Sequence, residues 1–161
     1  RHEKRCRFSR FFIDLPCRIT SERVMSILHP MLGMLAWSGL IVALLLSTRL
    51  PLIVRQWGRL QYAKHSEDVR PKMSDRLRYV TDNYNHLFEQ PTLFYATLVY
   101  IHLAGTATDA NVSLAWAYVV LRVIHSLIQL TGNNVSWRAA SFATSSAILL
   151  MMIIMELINV I

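Results

Sequence analysis

Cysteine is nearly absent from this 161-residue chain, and its two copies, Cys6 and Cys17, both fall within the first 24 residues. That placement excludes a disulfide framework, a thiolate metal site or a catalytic cysteine downstream, and no metal ligands are expected. Charge is scarce too, at 17% of residues against 53% apolar ones. An ordinary soluble domain carries about 25% charge, so a water-soluble class fits poorly. Acids are the rarer sign, ten against 17 Lys and Arg. Most of the basic excess is local: residues 1–24 carry seven Lys/Arg and three acids, residues 25–161 ten and seven. Nucleic-acid binding needs a basic patch on a folded face, so no nucleic-acid partner is expected.

The opening segment lacks an initial methionine and the apolar core of a signal peptide. It stops just before Met25, where a hydrophobic helix begins. The reading is a basic tail over 1–24, upstream of a natural start at Met25, followed by one membrane domain over 25–161. The rival reading is a genuine basic extension or transit-like segment.

What the chain has in abundance is long apolar runs: Ile27–Val54, Leu87–Ala104, Val112–Leu130 and Ala139–Ile161. Each approaches the roughly 20 residues needed to cross a ~30 Å hydrocarbon core. The expected fold is an all-α membrane protein, a four-transmembrane-helix bundle with helices at about 26–54, 75–104, 112–131 and 137–161. The segment 55–78 carries Arg55, Arg59, Lys64, Arg70, Lys72, Arg76 and Arg78. The positive-inside rule therefore puts this loop, and the turn at 131–138, in the cytoplasm. Trp57 and Tyr62 read as interfacial anchors, Arg49 as a snorkelling side chain, Ser74 as a helix N-cap, and Pro51 as a kink.

The polar residues inside the runs share faces. Arg78, Asp82, Asn85 and Glu89 are spaced four, three and four apart, which stacks them on one side of the second helix. Tyr118, Arg122, His125 and Gln129 repeat that spacing on the third. Arg138, Ser141 and Ser145 share a face of the fourth. An ionised side chain at mid-bilayer costs about 3 kcal/mol on insertion scales, so the first face cannot point at lipid. At 1.5 Å rise per residue, Glu89 and Arg122 come out at about the same depth, which makes an ion pair between them an expectation. Such a pair reads either as a bundle staple or as part of a ligand cavity. Arg78, Arg122 and Arg138 outnumber the single intramembrane acid, and guanidinium forks match carboxylates. A small polyanion with one amine would use both signs. Glu156 and Asn159, at the outer end, read as solvated.

Asn85-His-Leu-Phe-Glu-Gln-Pro91, then Leu93-Phe-Tyr, Ala115-Trp-Ala-Tyr-Val-Val-Leu-Arg-Val-Ile-His-Ser126 and Arg138-Ala-Ala-Ser-Phe142 resemble the family of membrane-associated proteins in eicosanoid and glutathione metabolism, MAPEG. The likeness covers 25–161 and is closest to its short bacterial branch and to microsomal glutathione transferases. It implies a homotrimer among membrane lipids, in a bacterial inner membrane, binding glutathione between subunits on the cytoplasmic side. It implies Arg138 as the catalytic residue that stabilises the glutathione thiolate. Arg78, Asn85, Glu89, Arg122, His125 and Gln129 are the implied glutathione-binding set. The family's enzymes usually space this Asn and Glu by three rather than four, and often carry Tyr where Gln129 stands. The implied function is a transferase or peroxidase acting on a small apolar second substrate. The alternative is a non-catalytic ligand-binding or scaffold member; a proton or ion channel relayed by Glu89 and His125 is a third reading.

Overall fold

Four apolar stretches with polar stripes fold as helices because each must satisfy its own backbone hydrogen bonds in lipid. The computed structural model describes residues 27–58 and 70–160. The basic tail, Met25, Tyr62 and residues 59–69 of the cationic loop lie outside the described residues, as does the Trp57 side chain. Helix α1 spans Leu28–Trp57. A single 3-10 turn, Arg70–Lys72, leads into α2, Asp75–Glu89. Helix α3 is Pro91–Ala104, α4 is Asp109–Leu130 and α5 is Val135–Val160. Every described element is helical, and α1, α4 and α5 are long and apolar enough to cross a membrane.

The stretch read as one helix over 75–104 is two. Pro91 has no N–H to give to the preceding turn, so the hydrogen-bond ladder breaks there. Gln90 keeps helical dihedrals (φ −68°, ψ −39°), so α3 carries on from α2 without a turn, and the pair forms the fourth segment of the bundle. Gln90 Nε2 donates to Ser146 Oγ of α5, which ties the break to a neighbouring helix. Pro51 stays within α1. Ser74 stands at the N-cap of α2 with extended backbone, but its side chain makes no capping bond. Thr108 does cap α4, accepting from the Asn111 N–H at 3.1 Å, so that helix starts three residues before the expected 112.

The core is built mainly from α1, α3, α4 and α5. Met34, Ile41, Phe94, Leu98, Ile101, Ala115, Tyr118, Leu149 and Met152 form one buried cluster, with Phe94 stacked on Tyr118 at 4.3 Å. The most extensive helix contact is α4 on α5, which a four-residue turn at 131–134 makes antiparallel neighbours. Large apolar side chains such as Leu32, Leu103, Leu157 and Ile158 stand on the outside of the protomer. In a water-soluble monomer such a surface would be an aggregation hazard; in lipid it is the ordinary outer face.

The charged face of α2 is also on the outside. Its buried side is Leu77, Val80, Asn83 and Leu87. At 100° per residue, Arg78, Asp82, Asn85 and Glu89 lie nearly opposite. The residue that this helix turns into the protein is Asn83, whose side chain is fully buried and accepts from Ser126 Oγ of α4 at 2.9 Å.

Glu156, read as solvated, is buried instead. Its carboxylate accepts from Thr106 Oγ1 at 2.6 Å and from Asn111 Nδ2 at 3.0 Å. Thr106 comes from the α3–α4 loop and Asn111 from the first turn of α4, so the cluster ties both to α5. This cluster closes one end of the bundle as the Asn83–Ser126 bond links α2 and α4 nearer the other.

Candidate functional site

At the end of the bundle nearest the 3-10 turn, the helix ends leave two adjoining polar cavities. One, of about 320 Å³, is lined by Arg70, Asp82, Asn85, His86, Glu89, Gln129 and Arg138. The other, of about 220 Å³, is lined by Arg49, Arg70, Met73, Arg78, Thr81, Asp82 and Asn85. Arg70, Asp82 and Asn85 border both, so the two form one continuous polar region along the outward face of α2. Arg49, read as a snorkelling side chain, belongs to this lining.

Five of the seven expected site residues thus meet: Arg78, Asn85, Glu89, Gln129 and Arg138. Arg122 and His125 line neither cavity. Arg122 is 1% exposed and lies inside the protomer, with Tyr118 and Phe142 rings 6.0 and 5.5 Å from its guanidinium carbon. Its Nη2 donates to the backbone carbonyl of His86 at 2.8 Å, while Nε and Nη1 have no partner among the described residues. His125 is buried against α5, with Nδ1 3.1 Å from the Arg138 carbonyl and 3.3 Å from Ser141 Oγ.

The expected Glu89–Arg122 ion pair does not form between these residues. Glu89 is on the face of α2 that points away from α4, with 69% of its side chain exposed, and it approaches His86 Nδ1 at 3.5 Å instead. The two residues do lie at similar depth, because Arg122 reaches the backbone only three residues below Glu89. Rotation keeps them apart: equal height says nothing about which side of a helix a residue occupies.

Arg70, Arg78 and Arg138 are each partly engaged. Arg70 Nη2 pairs with Asp82 Oδ1 at 3.3 Å, and Arg78 donates through Nε and Nη2 to the Arg70 carbonyl, both at 3.2 Å. Arg138 Nη1 donates to Asn133 Oδ1 at 2.6 Å. Asn133 itself sits at positive φ (43°) in the α4–α5 turn, so the turn shape positions the acceptor that holds one end of the guanidinium. A guanidinium has five N–H donors, and Arg138 keeps the others for the cavity.

His86, Arg70 and Asp82 are lining residues beyond the expected set. His86 carried a legible signal, since it precedes Glu89 by three residues and so stands on the same side of α2. Arg70 carried none, because its place depends on the 3-10 turn. Among the described residues no group of His, Cys, Asp and Glu is arranged to hold a metal ion.

The MAPEG family model matches residues 31–158, most of the chain. The chain belongs to the MAPEG family. No curated protein and no solved structure gives a significant match. Membership together with the long apolar helices makes this MAPEG chain an integral membrane protein with an all-α bundle. The family contains glutathione transferases and peroxidases and also non-catalytic members. The match spans α2 to α4 and nearly all of α1 and α5, so every cavity-lining residue of the MAPEG chain lies within it.

Proposed function

We propose that this MAPEG protein is a glutathione-dependent transferase or peroxidase whose thiol site is the polar cavity at the α2 face. The observation that carries the reading is the mixed charge of that cavity: Arg70, Arg138, Glu89 and Asp82 together line a space of about 320 Å³. Glutathione offers two carboxylates, one ammonium group and a thiol. Arg70 and Arg78 suit the carboxylates as charge-assisted donors, and a Glu89 or Asp82 oxygen suits the ammonium. The volume falls at the small end of ordinary ligand pockets, and the adjoining cavity extends it. The donor set therefore fits the ligand without any further group.

Chemistry at this site asks little of the protein. Arg138 places positive charge beside the bound sulfur and favours the thiolate, which is the nucleophile. An apolar electrophile or lipid hydroperoxide reaches it from the bilayer. The cavity lies on the helix ends joined by the cationic segment, so the positive-inside rule puts it on the cytoplasmic side. A charged helix face directed outward from an apolar protomer needs cover, and a homotrimer that closes this face between subunits supplies it.

The burial of Arg122 and His125 away from the cavity favours a second reading, a ligand-binding member without catalysis. One experiment separates the two. Glutathione added to detergent-solubilised protein should produce ultraviolet thiolate absorbance that disappears in Arg138→Ala, together with turnover of a chromogenic electrophile. Tight glutathione binding with no thiolate signal and no turnover selects the second reading.

A further inference from the structure

We propose that His86, held by Glu89, is the proton acceptor for the thiol bound in the cavity. The inference rests on the thiol-site reading above and adds a residue and a proton path to it. His86 is the one imidazole, among the described residues, that lines the polar cavity. His125 is buried with its Nδ1 turned to the Arg138 carbonyl, and His29 and His102 lie toward the opposite end of the bundle.

Three contacts hold His86 in place. Its backbone carbonyl accepts from the buried Arg122 at 2.8 Å, which fixes this turn of α2 against α4. Its ring stands edge-on to His125, with centroids 6.0 Å apart and planes at 89°. Its Nδ1 faces Glu89 Oε2 at 3.5 Å. A carboxylate at Nδ1 keeps a proton on that nitrogen and leaves Nε2 as the acceptor. Nε2 has no hydrogen-bond partner among the described residues. The same carboxylate keeps its other oxygen for the ligand's ammonium group.

Charged groups from three elements line the cavity around the ring. From α2 the Glu89 carboxylate faces the ring at 3.5 Å and from α5 Arg138 lines the same cavity, while Asp82 and Arg70, which also line it, are paired with each other at 3.3 Å. From α4 the uncharged Gln129 lines the same space, and the buried Arg122 guanidinium contacts the backbone carbonyl of His86 itself. In the step itself the S–H bond breaks, its electron pair stays on sulfur, and the proton forms a new bond to His86 Nε2. No oxidant or reductant takes part. An ordinary thiol holds its proton roughly a hundredfold more tightly than an ordinary imidazole, so the transfer requires opposite charges on the two sides. Glu89 at the ring and Arg138 beside the sulfur supply them.

The test is a proton inventory on the full-length, detergent-solubilised protein. Binding of glutathione is measured by calorimetry in buffers of different ionisation enthalpy at mildly alkaline pH, alongside thiolate absorbance and with S-methylglutathione as the thiol-free control. If His86 takes the proton, wild type forms thiolate with almost no proton released to buffer beyond the S-methyl control. His86→Gln then either forms at least tenfold less thiolate or releases one proton for each thiolate formed. Release of a full proton per thiolate by wild type overturns the proposal without any variant, and so does an unchanged inventory in a folded His86→Gln. Absence of binding by both glutathione and S-methylglutathione overturns the thiol-site reading as well, and is thereby distinguishable from failure of the His86 assignment alone.

Discussion

The buried guanidinium of Arg122 donates through Nη2 to the backbone carbonyl of His86, 2.8 Å away and 36 residues earlier in the chain. A side chain on α4 thereby grips the main chain of α2, and the carboxylate of Glu89 one turn further on is left free to face the cavity. The ion pair that the composition invites is replaced by a charge-to-backbone bond. This arrangement separates a structural arginine from the arginines that line the site.

Substituting Arg122 should therefore act first on stability. Arg122→Ala removes a fully buried side chain and its bond to His86, and is expected to cost about 2–4 kcal/mol. Arg122→Met restores most of the volume and removes a charge with two unpartnered nitrogens, so much of the loss should be recovered. Thermal unfolding of detergent-solubilised protein, followed by tryptophan fluorescence, distinguishes the two. Equal destabilisation by both variants would mean that the charge, rather than the packing, holds the helices.

How much of this was legible beforehand depends on which periodicity is asked about. The long apolar runs from Ile27 onward announce the helices, because crossing lipid leaves the backbone no other economy of hydrogen bonds. The break at Pro91 is also written in the residue type, although the helix continues past it. Spacing likewise brings Asn85 and Glu89 to one face. What spacing does not contain is the direction in which that face turns. Leu77, Val80, Asn83 and Leu87 make an equally good helical stripe, and three apolar residues outweigh one asparagine in deciding which side goes in. Glu156 differs for a related reason: its two donors, Thr106 in the α3–α4 loop and Asn111 in the first turn of α4, are brought to it by a loop whose path no local pattern encodes.

The Asn83–Ser126 bond offers a measurement of how much a buried polar contact contributes between α2 and α4. A double-mutant cycle with Asn83→Ala and Ser126→Ala should give a coupling energy of about 0.6–1.5 kcal/mol, the range of interhelical hydrogen bonds in membranes. Asn83 Nδ2 has no partner among the described residues, so the single Asn83 substitution also removes an unsatisfied donor. Its net cost should accordingly be smaller than the cavity it leaves would imply. A coupling indistinguishable from zero would show that the two residues are merely neighbours.

At the other end of the bundle, Glu156 holds two donors that have no alternative acceptor nearby in the described contacts. Glu156→Ala strands Thr106 and Asn111 and is expected to cost about 2–4 kcal/mol. Glu156→Gln keeps one acceptor oxygen, and about half of that cost should be spared. Hydrogen exchange should report the loss locally, in the α3–α4 loop and the last turns of α5, with α2 unaffected. Thiolate formation should be unchanged in Glu156→Gln, because its cluster and the polar cavity lie at opposite ends of the helices.

Arg70 tests whether the two polar cavities act as one site. It borders both, is paired with Asp82 at 3.3 Å, and supplies its own carbonyl to Arg78. Arg70→Ala removes a charge-assisted donor from the carboxylate end of the ligand and leaves Asp82 unpaired, which adds repulsion. The expected result is glutathione binding weaker by about ten- to hundredfold, the equivalent of one hydrogen bond to a charged group. Arg70→Lys retains the charge without the planar fork and should recover only part of the loss. The double variant Arg70→Ala, Asp82→Asn removes the repulsion and should bind better than Arg70→Ala alone. Calorimetric titration of the three variants checks this order, and binding unaffected by Arg70→Ala would confine the ligand to the space between Glu89 and Arg138.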